Sequence, residues 1–247
     1  RGLGDVYKRQ VYQFWANRDS HEVYYFDPKT DYAPTTAISS ISWDDPNFPN
    51  IEGFGVWAAK CNFTMGPDGK MYSRMLGGNL VRIDVENARG ENLTNGDLVG
   101  TKDGSAYGLV FDPQDENVFY FSNNDKHCIY KYDLRTKECA CWAGQEGKSG
   151  YLDGPIGQAM FNKPGQMCVD SEGNIILTDT ENHCIRKITM STGYVSTLAG
   201  KPQNSGYVNG SAEDAQFKKP LGICIDNDDV MYIGDSENRA IRRLAVE

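Results

Sequence analysis

Histidine–cysteine pairs are the feature of this sequence best suited to metal binding or nucleophilic catalysis. Two such pairs occur, His127-Cys128 and His183-Cys184, at an offset of 56 residues, while the third histidine, His21, stands apart. Zinc needs about four donors that converge on one point, whereas a pair repeated at a fixed interval places its copies in separate structural units. The spacing therefore predicts neither a metal site nor a resident cofactor.

A second candidate for chemistry is the charged pair Asp179 and Arg186, which recurs as Asp235 and Arg242. A catalytic pair is needed only once in an active site, so a pair that repeats favours a structural role. We expect the aspartates to cap turns and the arginines to contact a neighbouring repeat. No catalytic residue is predicted from these side chains.

Two long polar segments carry the candidate ligand-binding side chains. They run from Gly144 to Gly154 and from Gly200 to Gly210, and each contains a tyrosine followed two positions later by Asp or Asn. Aromatic rings beside carboxylates and amides bind polar ligands, sugars among them, by stacking and hydrogen bonding. The predicted ligand-binding residues are Tyr151, Asp153, Tyr207, Asn209, Asn182 and Asn238. The alternative is that the two tyrosines only cover the junctions between repeats.

The elements that position these residues are shown by an internal repeat. Gly150 to Ile188 aligns without a gap on Gly206 to Leu244, and a fixed period indicates one supersecondary unit used several times. Within one unit, short apolar runs alternate with Gly, Asp and Asn turns, which predicts four antiparallel strands. These predicted strands are 166–170, 175–178, 184–188 and 194–198. Four such strands make one blade of a β-propeller.

Earlier parts of the chain carry weaker copies of the same unit, so the predicted fold is an all-β propeller of about five blades. The approximate blades are 11–50, 58–98, 104–144, 155–200 and 212–247, which form a single domain from residue 11 to residue 247. The strongest helical candidate, around residues 211–217, is one or two turns long. Arg1 to Gln10 does not fit the pattern and is interpreted as a non-native scar.

The repeated residues resemble the NHL repeat. The resemblance rests on Asp153-Gly154, Phe161, Pro164, Asp179-Thr180 and Ile185-Arg186-Lys187, and it is strongest from Gly150 to Glu247. It implies a β-propeller, commonly of six blades, and is closest to the propeller part of bacterial extracytoplasmic TIG/NHL proteins. We therefore expect an extracytoplasmic location, in the periplasm or on the cell surface. We also expect the chain to be a piece of a longer propeller, the alternative being a five-bladed ring that closes by itself.

Composition restricts the partners further. The formal net charge is −9, without a basic stripe to neutralise phosphates, so nucleic acid is not an expected partner. No run of about 18 apolar residues is present, so no membrane span is predicted. The sequence does not indicate an oligomeric state.

Seven cysteines are present, but their spacing argues against disulfides between repeats. Equivalent positions lie a full blade apart, usually too far for a disulfide bond, so the cysteines are interpreted as small buried apolar residues. Cys168 and Cys224 are the exception to this argument against disulfides. They fall on predicted innermost strands, where neighbouring blades approach most closely, so a thiol pair is an alternative there.

These observations predict a non-enzymatic binding scaffold that offers one loop face to a protein or glycan ligand. The alternative is a metal-dependent hydrolase or lyase of the propeller type, lactonase-like or resembling the amidating lyases. Such an enzyme needs acidic or histidine side chains directed into the central channel. The predicted inner strands instead carry Thr64, Val110, Cys168 and Cys224 at the corresponding positions. A third interpretation is a spacer between other domains.

Overall fold

The computed structural model of the chain describes residues 11–17, 20–26, 34–38, 42–43, 64–74, 80–94 and 107–245. The chain divides into two compact units, Arg1–Lys102 and Asp103–Glu247. The expectations for residues 1–10 and for Cys61 lie outside the described residues, and the single domain of residues 11–247 stays a prediction.

The described residues of the first unit form two sheets. The strands are β1 Val11–Asn17, β2 Ser20–Phe26, β3 Pro34–Ile38, β4 Ser42–Trp43, β5 Thr64–Met65, β6 Met71–Arg74, β7 Leu80–Asp84 and β8 Arg89–Asn92. The first sheet has the order β1-β2-β3 and the second has the order β4-β8-β7-β6-β5. All of these pairings are antiparallel except β4 with β8, which the sequence did not predict.

The second unit contains three sheets, which we call the third, fourth and fifth sheets. Their strands are β9 Leu109–Phe111, β10 Val118–Asn123, β11 Cys128–Asp133, β12 Cys139–Gly144, β13 Gly154–Pro155, β14 Pro164–Val169, β15 Ile175–Asp179, β16 Cys184–Thr189, β17 Tyr194–Ala199, β18 Pro220–Ile225, β19 Met231–Asp235 and β20 Ala240–Leu244. The third sheet has the order β12-β11-β10-β9, the fourth β13-β17-β16-β15-β14 and the fifth β18-β19-β20.

Alternating side chains explain how the three sheets of the second unit pack together. Ile175 and Leu177 of β15 enter the core shared with the third sheet, beside Phe161. Ile176, between them in sequence, points to the opposite face and enters the core shared with the fifth sheet. Both faces of this strand are therefore buried, which is why it reads as a continuous apolar run.

The predicted fold class is confirmed: the protein is all-β, built as a β-propeller of mainly antiparallel blades. Among the described residues the third sheet has four strands, whereas the other sheets have three or five. The strand bounds predicted for the fourth sheet agree with β14 to β17 to within two residues. The region around residue 211 forms one turn, in which the Ala215 amide donates to the Ser211 carbonyl at 2.9 Å. The extra strand β13 was not predicted, because a Gly-Pro dipeptide has little strand propensity.

The cysteines agree with the expected role in part. Cys128 and Cys184 are fully buried, as predicted, and Cys168 packs against the core between the fourth and fifth sheets. Cys224 is exposed, which contradicts the prediction. In the described part of the second unit no later sheet covers Cys224 in the way that the fifth sheet covers Cys168.

Candidate functional site

Strand register places two of the predicted ligand-binding residues, Asn182 and Asn238, at one end of the sheets of the second unit. Asp179 is the partner of both Pro164 and Cys184, so the strands β14, β15 and β16 meet there. Ala199 at the end of β17 is opposite Ile185 near the start of β16. We call this end, together with the long segments bound to it, the loop end; it comprises residues 144–153, 157–163, 180–183, 200–219 and 236–239. Gly154 and Pro155 pair instead with Val195 and Tyr194, toward the opposite end of the fourth sheet.

Arg186 organises the loop end of the fourth sheet. Its side chain is fully buried and its two terminal nitrogens are shared between strand and loop. Nη1 donates to Asp179 Oδ2 at 2.7 Å and to the Met160 carbonyl at 3.1 Å. Nη2 donates to the Leu152 carbonyl at 3.0 Å and to Asp153 Oδ1 at 2.6 Å. One guanidinium therefore fixes the long loop at three separate points against its own sheet.

Asp179 is the buried carboxylate of this cluster. Oδ1 accepts the Asn162 amide at 2.7 Å, and Oδ2 accepts Asn182 Nδ2 at 2.8 Å in addition to Arg186. Burial raises the pKa of Asp179 to about 6, against the opposing effect of the Arg186 charge and these hydrogen bonds. The carboxylate is therefore ionised at neutral pH and pairs with the guanidinium.

Aromatic rings complete the surroundings of Arg186. The guanidinium carbon lies 4.8 Å from the centre of the Tyr151 ring and 5.2 Å from that of Phe161, so the cation contacts two π systems. The Tyr151 hydroxyl is 2.7 Å from Thr197 Oγ1. The Tyr151 ring thus packs on the Arg186 guanidinium, and the Tyr151 hydroxyl bonds to strand β17.

The fifth sheet repeats the cluster around Arg242. Nη1 binds Asp235 Oδ2 and the Gln216 carbonyl, both at 3.0 Å. Nη2 binds the Val208 carbonyl and Asn209 Oδ1, both at 2.7 Å. The Tyr207 and Phe217 rings lie 4.9 and 5.0 Å from the guanidinium carbon. Asn209 therefore takes the position of Asp153 with an amide instead of a carboxylate.

The structure brings the six predicted residues together in two groups of three. Asn182 Nδ2 and Asn238 Nδ2 each donate at 2.8 Å to the carbonyl of the glycine before the tyrosine, Gly150 and Gly206. Asn182 is fully buried, Tyr151 and Asp153 are partly exposed, and Tyr207 is 60% exposed beside exposed Asn209. Their role in ligand binding stays a prediction.

The expected role of the arginines is corrected by this geometry. Arg186 and Arg242 were predicted to contact a neighbouring repeat, yet each contacts the loop that precedes the inner strand of its own repeat. The aspartates do bind backbone amides, but those amides belong to the same loops, at Asn162 and Lys218. The 33-residue separation between Arg186 and Asp153 explains why sequence alone did not reveal the contact.

Sequence reasoning missed the contacts of the two histidines. His127 Nδ1 accepts the Lys163 amide at 3.1 Å, and His183 Nδ1 accepts the Lys219 amide at 3.2 Å. Each bond joins one sheet to the start of the next, 36 residues later. Burial, followed by the nearby Lys163 charge, lowers the pKa of His127 below its ordinary value, while Asp125 opposes the shift. Each histidine therefore connects two neighbouring sheets through a hydrogen bond.

The opposite end of the sheets holds a cleft of about 260 Å³ between the fourth and fifth sheets. Lys187 at its rim pairs with Asp170 at 3.0 Å and with Glu172 at 3.4 Å. Asp229 accepts hydrogen bonds from the amide and hydroxyl of Ser171. These rim charges bind one another across the cleft.

Neither a metal cluster nor a membrane-spanning helix is found among the described residues. No group of three or more His, Cys, Asp or Glu side chains in that part of the chain could hold a metal ion. The same residues include no helix that is both long and apolar enough to cross a bilayer.

Comparisons with known proteins support the repeat assignment. The family model described as NHL repeat matches residues 161–188, which include Phe161, Asp179 and Arg186. The chain is 30% identical over 152 residues to NHL repeat-containing protein 2 of Gallus gallus, which covers 61% of this chain and 19% of that protein. The chain thus spans about a fifth or less of the length of the curated relatives it matches.

Two solved structures from Bacteroides thetaiotaomicron share the fold. A protein of unknown function is 25% identical with a TM-score of 0.81, covering 97% of this chain and 57% of that one. A protein described as an auxiliary nutrient binding protein is 24% identical with a TM-score of 0.69, covering 96% and 56%. The NHL repeat matched at residues 161–188 and these likenesses support an NHL-type β-propeller fold.

Proposed function

We propose that this protein is a non-enzymatic binding scaffold whose loop end receives a polar ligand, a glycan or a segment of another protein. The observation that carries the proposal is the Tyr207 ring, which is held over the Arg242 guanidinium in the same way as Tyr151 over Arg186. Asn209, beside Tyr207, is fixed by the same arginine. An aromatic ring next to a fixed amide supports recognition by stacking and hydrogen bonding.

Rigidity is the physical advantage of this arrangement. Arg242 binds two backbone carbonyls and two side chains around the loop, so the tyrosine and the asparagine are ordered before a ligand arrives. A binding site that is ordered in advance loses less conformational entropy on association. Loops on a rigid scaffold are also where binding residues usually lie.

Tyr151 and Asp153 provide a second, related surface in the preceding repeat. The Asp153 side chain is 34% exposed, and its Oδ2 also accepts the Thr197 amide at 3.1 Å. Asn182 and Asn238 are proposed to position the tyrosines rather than to contact the ligand. Each binds the carbonyl of the glycine that precedes the tyrosine, Gly150 or Gly206. Two similar surfaces side by side suit a ligand with repeating units, such as an oligosaccharide.

The solved relative described as an auxiliary nutrient binding protein supports a binding role of this kind. We propose an extracytoplasmic location on the same ground, in the periplasm or at the cell surface, where extracellular glycans and proteins are accessible. Ligand identity is the part of the proposal that requires a direct screen.

A glycan array probed with the intact protein, its Tyr207→Ala variant and its Tyr194→Ala variant tests the proposal. Tyr194 is a matched control, since it is 46% exposed and stands beside the turn at the opposite end of the fourth sheet. Glycan binding that Tyr207→Ala weakens by about tenfold, as the loss of one stacking contact predicts, and that Tyr194→Ala leaves intact would support it.

Equal effects of the two variants would contradict binding at the loop end. Binding to a protein segment rather than to any glycan, with the same dependence on Tyr207, would select the protein ligand. Substrate turnover by the intact protein, retained after removal of Tyr207, would contradict the non-enzymatic role.

A further inference from the structure

We infer that Cys128 and Cys141 form a reversible disulfide that joins strands β11 and β12 of the third sheet. This cross-link is a covalent modification site within one sheet, separate from the contacts between repeats. The inference does not depend on the proposed ligand-binding function.

Strand register brings the two cysteines to the same place. Cys128 is directly opposite Gly144, and Tyr130 is opposite Cys141, with an irregularity in the pairing between them. Trp142 is the additional residue on β12, at a β-bulge. Alternate residues of β11 share a face, so Cys141, which is opposite Tyr130, lies on the same face of the sheet as Cys128.

The sulfur of Cys141 is directed toward this point. It lies 3.7 Å from the Gly144 carbonyl oxygen, and Gly144 is the residue opposite Cys128. A Cβ atom added to Gly144 would stand only 3.2 Å from the Cys128 Cα, so the two backbones approach closely here. The Cys141 sulfur, at the Gly144 carbonyl, therefore lies beside the residue that faces Cys128 directly.

The fourth sheet shows that this pair is not a general feature of the repeat. Cys184 is the equivalent of Cys128 and is also fully buried. The equivalent of Cys141 is Thr197, whose hydroxyl is 2.7 Å from the Tyr151 hydroxyl. The buried cysteine is thus common to both repeats, and only the third sheet places a second thiol beside it.

The chemistry of the two thiols differs in a way that suits thiol–disulfide exchange. A hydrogen bond from the Cys128 thiol lowers the pKa of Cys141, whereas the contact with Cys141 and then burial raise the pKa of Cys128. Cys141 is partly exposed, so its thiolate is the accessible nucleophile. Cys128 is the buried resolving thiol.

The exchange balances with one small-molecule disulfide as the oxidant, for example oxidised glutathione. The Cys141 thiolate attacks one sulfur of that disulfide, forming a mixed disulfide and releasing one thiolate. Cys128 then gives up its proton to the released thiolate and attacks the Cys141 sulfur, which expels the second small thiol. Two protein thiols are oxidised, and one small disulfide is reduced to two thiols.

The test equilibrates the folded chain of 247 residues with oxidised glutathione, then denatures it and alkylates the remaining thiols. The reduced protein carries seven cysteines, and we expect two fewer adducts after oxidation. Trypsin cleavage after Lys126, Lys131, Lys137 and Lys148 places the two cysteines in different peptides, so fragmentation of the linked pair maps the bond. We expect the bond between Cys128 and Cys141, and dithiothreitol reverses it.

Cys139→Ser is the matched control, because Cys139 stands on the same strand two residues away. We expect this variant to keep the cross-link and Cys141→Ser to lose it. A full set of adducts after oxidation, or a bond mapped to Cys139 or to any other cysteine, overturns the inference. The peptide map of the unaltered protein decides the matter even where a variant fails to fold.

Discussion

Arg186 shows how one residue type can serve as the centre of a repeated structural cluster. Its guanidinium has no exposed surface and is surrounded by Asp179, Asp153, two carbonyls and two aromatic rings. A charge in such a place is tolerated because Nη1 and Nη2 each bind two acceptors and two rings lie against the guanidinium, although Nε has no hydrogen-bond partner among the described residues. The same residue in the fifth sheet, Arg242, has equivalent partners, so the cluster is a property of the repeat.

Replacing Arg186 with methionine is expected to destabilise the protein by about 3–5 kcal/mol, because Asp179 would remain buried without its partner. Unfolding by urea, followed by circular dichroism, measures this change. Arg135→Met is the control, since Arg135 pairs with Asp115 and Asp133 on the surface and its side chain is 55% exposed. Similar losses for the two variants would mean that burial of Arg186 does not matter.

The hydrogen bond from Lys163 to His127 predicts a dependence of stability on pH. His127 Nδ1 can accept the amide only when the ring is neutral, and burial lowers the pKa of His127 in the folded protein. Its contribution to stability is therefore present above the ordinary histidine value of about 6.5 and is lost as pH falls through it.

We expect His127→Gln to lose less stability than the unaltered protein between pH 7.5 and pH 5.5, because glutamine offers an acceptor that does not titrate in this range. Urea unfolding at both pH values gives the comparison, and the difference between the two proteins removes the contribution of Asp179. An unchanged pH dependence in the variant would show that titration of His127 does not affect the stability of the protein.

At the scale of elements, strands β14 to β17 could be predicted from sequence, whereas the extra strand β13 and the contacts of the loops could not. Apolar runs such as Ile175 to Thr178, bounded by Gly- and Asn-containing turns, are local signals, and β15 confirms them. The candidate site depends on contacts between residues about 26–34 positions apart, for instance Arg186 with Leu152. Repetition at a 56-residue offset indicated that Asp179 and Arg186 have a structural role, but it contained no information on which atoms they bind.

The junction between a sheet and its following loop depends on glycine. Gly144 has a φ of +92°, and a Cβ atom there would lie 2.9 Å from the Phe161 ring and 3.2 Å from Cys128 Cα. Gly147, three residues later, has a φ of +76° and open space around it. A side chain at Gly147 would therefore meet only backbone strain, whereas a side chain at Gly144 would meet both backbone strain and steric overlap.

We expect Gly147→Ala to cost about 1–2 kcal/mol from the left-handed backbone alone. Gly144→Ala is expected to cost a further 1–3 kcal/mol, roughly, because the methyl group must displace Phe161 or the strand. Thermal unfolding of both variants measures the difference. If Gly144→Ala is no worse than Gly147→Ala, the close packing at this junction is not important for stability.

At the scale of the whole molecule, the fold and the net charge both limit what can bind. The chain carries a formal charge of −9, so an anionic ligand meets a repulsive field at low ionic strength. Propellers support many functions, and the function proposed for this one therefore depends on the loop end rather than on the fold.

We expect a sulfated oligosaccharide to bind more weakly than its neutral counterpart at low salt, with a smaller difference at about 0.5 M salt, where screening is strong. Affinity measurements with the two ligands at both salt concentrations test this expectation. Tighter binding of the sulfated form at low salt would contradict it and would point to a local basic surface.

The exchange of Asp153 for Asn209 has a consequence for orientation. The Arg186 cluster contains two carboxylates around one guanidinium, whereas the Arg242 cluster contains one carboxylate and one amide. Neighbouring repeats are consequently alike in shape but differ by one formal charge. An elongated ligand that contacts both repeats would therefore have one preferred direction of binding. The exchange of one carboxylate oxygen for an amide nitrogen is enough to make the two nearly identical surfaces different.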